Sequence, residues 1–204
     1  MIMYYILFNK PYGVLSQFTD ESTGHPTLKD YIDVPDVYAA GRLDRDSEGL
    51  LLTNDGGLIK RLTDPVHHIE KTYLVMVEGE PTPEKLDTLA KGVVLAGSGY
   101  RTLPCKVRAI PDPELPPRSK PVTPHGPTSW LEIRLREGKK RQVRLMTAAV
   151  GLFTLRLVRA AIGPLGLENL PAGVWRELTR AEVDLLRGSK AEGSSGRSLN
   201  KKRA

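Results

Sequence analysis

The sequence predicts an α+β domain built on one mixed, mostly antiparallel sheet, and three observations carry that prediction. Strand-like and helix-like segments follow one another without a regular βαβ rhythm. Several strand-like segments alternate with period two. The helix-like segments open and close on recognisable caps. With 204 residues, 40% of them hydrophobic, the chain can bury one sizeable core or two small lobes.

Taken in order, IMYYILFN (residues 2–9) is apolar and aromatic-rich and reads as a strand ending at the turn Lys10-Pro11-Tyr12-Gly13. Thr27 to Ile32 reads as a short helix, and Val37 to Ala40 as an extended piece leading into Gly41. Leu50 to Thr53 reads as a buried strand closed by Asn54-Asp55-Gly56-Gly57, and Leu58 to Leu62 as a helix stopped at Asp64-Pro65. KTYLVMVE, residues 71–78, alternates as a strand does. Thr82 caps a helix with Pro83 at its first position and Gly92 as its stop. Residues 111–127 hold seven of the sixteen prolines and are expected to form a long, mobile surface loop. In SWLEIRLRE, Trp130, Glu132, Arg134 and Arg136 alternate with Leu131, Ile133 and Leu135, which predicts a half-buried strand. KRQVRLMTAAVG reads as a helix ended by Gly151. Short strands follow near Thr154–Val158 and Val174–Leu178, and a capping box at Thr179–Glu182 opens a last helix to about Arg187. Residues 189–204 are polar, Gly/Ser-rich and basic, and are expected to be a disordered tail behind a folded part of 1–188.

Composition excludes several classes. No apolar run approaches the ~20 residues of a membrane span, and the N-terminus has neither a basic leader nor a small-residue cleavage site. A single cysteine, Cys105, fits a reducing compartment, so a cytoplasmic location is expected. The net charge of +6 is unevenly spread. The tail supplies five basic residues and one acidic one, which leaves the body close to neutral. Between Arg134 and Arg144, however, six basic residues stand with one Glu. Such a run is either a solvated face or a nucleic-acid contact, and charge alone does not choose.

Metal and nucleotide chemistry lack their signatures. None of His25, His67, His68 and His125 lies four residues from another, Cys105 has no thiol partner, and neither a P-loop nor a GxGxxG fingerprint is present. No metal and no cofactor are expected. No G-x-S-x-G elbow is present either. There remain the carboxylates of GRLDRDSEGLLLTNDG, residues 41–56. An aspartate flanked by Arg42 and Arg45 at the entrance to a core segment would be held ionised by its neighbours. It is either a nucleophile or base, or one partner in a salt-bridged turn.

Read whole, GRLDRDSEGLLLTNDG resembles the catalytic motif of pseudouridine synthases, in particular the branch that modifies ribosomal RNA. Three further stretches agree in order: NKPYGVLSQ (9–17), EKTYLVMVEG (70–79) and EGKKRQVRLMTAAVG (137–151). The resemblance covers about residues 4–188. Some members of the branch carry a small S4 RNA-binding domain ahead of the catalytic part. Here NKPYG begins at residue 9, so no S4 domain is expected, and the chain most resembles the E type of large-subunit enzyme.

The resemblance implies a two-lobed fold with a central cleft and a cofactor-free isomerisation in which uracil is detached from its ribose, rotated and rejoined through carbon 5. Asp44 matches the essential aspartate, which attacks either the ribose or the base. Tyr73 matches the active-site tyrosine, and Arg144 the basic residue that pairs with the aspartate. Arg42 matches the arginine that enters the RNA stack when the target nucleotide leaves, at a flipping cost of a few kcal/mol. Lys139, Lys140 and Arg141 are expected to contact phosphates and Leu145 to line the uracil pocket, while Lys10 and Lys71 receive only structural or phosphate-binding roles. The implied partner is large-subunit ribosomal RNA or its assembly intermediate, with no membrane and nothing that demands more than a monomer. Two other readings stay open: the same chemistry on small-subunit or transfer RNA, and a non-catalytic RNA-binding assembly factor.

Overall fold

The computed structural model describes residues 4–20, 22–53, 60, 67, 69–167 and 170–188. Its strands are β1 (Ile6–Lys10), β2 (Ala39–Ala40), β3 (Glu48–Thr53), β4 (Lys71–Glu78), β5 (Lys106–Ile110), β6 (Thr128–Leu135), β7 (Phe153–Ile162), β8 (Leu165–Gly166) and β9 (Trp175–Glu177). Its helices are α1 (Pro83–Lys91), α2 (Gln142–Ala149) and α3 (Arg180–Arg187), with a 3₁₀ turn at Leu28–Asp30. The turn expected at 54–57, the helix expected at 58–62 (Lys60 apart) and the tail lie outside the described residues. No helix among the described residues is long and apolar enough to cross a membrane.

The strands form one sheet in the order β5-β6-β4-β7-β3-β1-β9, with β2 beside β3 and β8 beside β7. Every pairing is antiparallel except β3 with β7. That parallel contact spans only Glu48↔Val158 and Gly49↔Arg159, and it is where two half-sheets join.

Each half has its own core. In the β5-β6-β4-β7 half, Val75, Val77, Leu131, Ile133 and Leu135 all point to one face, as their period-two spacing requires. There they meet Leu89 of α1 and Val143 and Met146 of α2. The other half is buried on both faces of β1. Leu7 packs with Leu50, Ile162 and Leu186 of α3, while Ile6 and Phe8 pack on the opposite side with Val14, Leu28 and Ile32. The N-caps form as the sequence indicates. Thr82 accepts from the Lys85 amide, and Thr27 and Thr179 each complete a reciprocal capping box.

Three details differ from the sequence reading. Trp130 is buried rather than facing solvent with Glu132 and Arg134, because it sits between Met76 of β4 and Ile110 of β5. β5 lies in a stretch with no strong alternation and is formed by its edge pairing to β6. The proline-rich segment forms no strand or helix, as expected, but it is anchored. Pro116 accepts from Arg156 of β7, the Arg118 guanidinium stacks 4.4 Å from the Tyr12 ring centroid, and the His125 amide donates to Glu78.

Gly49 is the tightest point of the junction. Its φ is +103°, and a Cβ there would run into the backbone of Arg159 on the neighbouring strand. Gly49→Ala is therefore expected to destabilise the fold by about 2–4 kcal/mol, measured as a shift in the urea midpoint. A change within a few tenths of a kcal/mol would contradict the close approach.

Candidate active site

The segment 41–50 runs from β2 into β3 along the junction, and its backbone is tied down almost residue by residue. Arg159 is buried. It donates from Nε to the Leu50 carbonyl and from Nη2 to the Gly41 carbonyl, each at 2.7 Å, and so closes both ends of the segment. Ser16 Oγ donates to the Leu43 carbonyl at 2.7 Å and accepts from the Leu43 amide. The Arg45 carbonyl accepts from the Gly13 amide at 2.8 Å and from Lys10 Nζ at 3.4 Å. Lys10 Nζ also donates to the carbonyls of Pro11 and Val14. Its burial, only partly offset by Glu48, Asp46 and Asp44, pushes it down to about 7. Glu48 receives a two-pronged bond from Arg156, at 2.9 and 3.0 Å.

Within this frame the Ser47 amide donates to the Asp44 carbonyl, so residues 44–47 form a tight turn that sends the two aspartates apart. Asp46 points to the start of α2. It takes a bidentate bond from Arg141, both prongs at 3.1 Å, and lies 3.4 Å from Arg144 Nη2, which also donates to the Asp46 carbonyl at 2.7 Å. Burial alone would raise the Asp46 carboxyl. The Arg141 hydrogen bond and the charges of Arg144 and Arg141 outweigh it and hold the group below the ordinary aspartate range. Asp44 is left comparatively free, about one third exposed, with Arg141 Nη1 3.9 Å from its carboxylate.

A cleft of about 740 Å³ opens beside this turn, large enough to admit a flipped nucleotide. Arg42, Asp44 and Tyr73 line it together with Lys139, Lys140 and Arg141. Arg42 is exposed and donates to Gln17 Oε1 at 3.0 Å; Tyr73 is buried on β4. Lys139 lies over the Tyr100 ring, and Lys140 is exposed. Arg141 reaches the aspartates because it caps α2 in the left-handed conformation, φ +54°.

Two sequence expectations are corrected. Arg144 pairs with Asp46, not with Asp44. The turn directs Asp46 toward α2, and Arg144 occupies the space behind it, where it also donates to the Thr154 carbonyl. Leu145 packs against the core of the larger half, and the apolar walls of the cleft come instead from Leu43, Leu135, Val143 and Leu157. On a helix, side chains two apart point to different sides, which sends Val143 and Leu145 to different surroundings.

Sequence reasoning missed Arg159 altogether, since a lone arginine among strand residues carries no motif. It also missed Glu137, a buried carboxylate that accepts from Tyr100 Oη, the Leu103 amide and Gln142 Nε2 and so fixes the turn leading into α2.

Residues 4–149 match the family described as RNA pseudouridylate synthase. A ribosomal large subunit pseudouridine synthase E of Vibrio vulnificus is 52% identical over 85% of this chain and 74% of its own. The enzyme of that name from Xanthomonas campestris pv. campestris is 54% identical over 84% of this chain and 93% of its own. Among solved structures, a pseudouridylate synthase crystal structure superposes with a TM-score of 0.76 at 31% identity, covering 91% of this chain and 74% of that one.

The Asp46 pairing sets a pH dependence. A carboxyl held below its ordinary value contributes stability above that value and loses it as pH falls through the depressed one. Wild type is therefore expected to lose more stability than Asp46→Asn in urea titrations taken from neutrality down to about pH 3. Parallel acid limbs for the two proteins would contradict the pairing.

Proposed function

The chain belongs to the RNA pseudouridylate synthase family, and on that footing we propose that it isomerises a uridine of large-subunit (23S) ribosomal RNA to pseudouridine, with Asp44 as nucleophile. The observation that carries this reading is the single cleft that holds Asp44, Tyr73 and the basic run 139–141, in a chain more than half identical to relatives named for that activity.

The arrangement suits the chemistry. Asp44 is partly exposed and held on a turn with little freedom, so its carboxyl group meets the flipped nucleotide without reorganisation. Arg42 stands at the rim, able to enter the gap the nucleotide leaves. Tyr73 offers a ring to stack on the base and a hydroxyl to move a proton. Lys139 and Lys140 meet the phosphates, and Arg141 keeps positive charge beside Asp44 while bonded to Asp46. Arg144 acts one step back, by fixing Asp46 and with it the turn. In this reading residues 1–188 form the catalytic domain, 189–204 a basic tail, and the protein works as a cytoplasmic monomer on the RNA or on an assembly intermediate.

The test is tritium release from RNA labelled at carbon 5 of uracil, because forming the new bond there expels that hydrogen. Wild type is expected to release tritium from protein-free large-subunit RNA, and Asp44→Ala to be slower by about 10³-fold or more. Equal release by both proteins would remove Asp44 from its role. Release confined to small-subunit or transfer RNA would move the substrate, and release from none would favour a non-catalytic assembly factor.

A further inference from the structure

Lys71 opens β4 and is 8% exposed, yet it lines the cleft two residues before Tyr73 and on the same face of the strand. Among the described residues its ammonium has no hydrogen-bond partner and no carboxylate within 4 Å. The contrast with Lys10 is direct, since that fully buried ammonium is bonded to three carbonyls. Burial and the charge of nearby Arg159 both push the Lys71 ammonium down from the usual lysine range. A cation drawn largely out of water beside a second cation, with no anionic partner among the described residues, is unfavourable to keep. A ligand that brings negative charge or acceptor oxygens to that part of the cleft would supply the missing partner.

Position selects which ligand group that is. Lys139 and Lys140 stand exposed at the rim, where backbone phosphates pass. Lys71 lies inside with Tyr73, Leu135 and Leu157, among walls that suit a planar base. As Asp44 bonds to C1′, the bond between C1′ and N1 breaks, and its electron pair goes to N1 and spreads to the uracil oxygens O2 and O4. The base rotates, C5 bonds to C1′ as the Asp44–C1′ bond breaks and frees the carboxylate, and the C5 proton leaves to a base. The detached ring is anionic throughout the rotation. We propose that Lys71 is a catalytic residue whose ammonium donates a hydrogen bond to a carbonyl oxygen of the detached uracil and stabilises its negative charge. This rests on the cleft being the site of uridine isomerisation.

The experiment compares wild type, Lys71→Met and Lys71→Gln in single-turnover tritium release at saturating large-subunit RNA, with RNA affinity measured by filter binding and folding by thermal melts. Release is expected to slow by about 10²-fold or more in both variants while the RNA Kd stays within about twofold. A second arm replaces the target uridine by 5-fluorouridine, a better leaving group, and follows the rearranged nucleoside by mass spectrometry. There the loss is expected to shrink by about tenfold. A weakened Kd with an unchanged single-turnover rate would make Lys71 a phosphate ligand and overturn the proposal. Equal losses on both RNAs would make it structural and overturn it too. Should Lys71→Met fail to fold, Lys71→Gln carries the comparison. An active wild type with unimpaired Lys71 variants overturns this proposal alone. A wild type inactive on every RNA overturns the reaction itself and the proposal with it.

Discussion

One guanidinium closes the loop that presents the candidate nucleophile. Arg159 comes from β7 in the larger half-sheet and donates to the carbonyls at both ends of residues 41–50 in the smaller half. The parallel pairing between the halves is only two residue pairs long, too short to fix their relation by ladder bonds alone. Arginines of the larger half supply the remainder. Arg156 reaches Glu48, while Arg144 and Arg141 reach Asp46. All of these contacts fall in or beside the turn carrying Asp44, so the joint that holds the two halves together is also the joint that shapes the site.

Electrostatics follow from the same arrangement. The segment carries three carboxylates within five residues, and left alone they would repel one another. Asp46 and Glu48 are each committed to arginines, and Lys10 lies beneath all three. Asp44 is thereby the carboxylate with the least fixed partner and the one turned to the cleft. A structural ion pair and a reactive group, two residues apart in sequence, are separated by the geometry of one turn.

Much of this was legible in the chain because its physical causes are local. The period-two runs in β4 and β6, the caps at Thr27, Thr82 and Thr179, and the charged motif before Leu50 depend only on neighbouring residues. What the sequence hid depends on distant partners. Whether Arg144 meets Asp44 or Asp46 is decided by the turn 44–47, and whether Val143 or Leu145 faces the cleft is decided by the roll of α2 against the sheet. Arg159 looks like an isolated charge in a strand until Gly41 and Leu50, more than a hundred residues away, are brought beside it.

The claim that this clamp fixes the Asp44 turn is tested most directly by amide hydrogen exchange on Arg159→Lys, which keeps the charge but cannot span both carbonyls. Exchange across 41–50 is expected to accelerate by about tenfold or more while the β4–β6 amides stay as protected as in wild type. Unchanged protection across 41–50 would show that the turn is held without the guanidinium and would contradict the account.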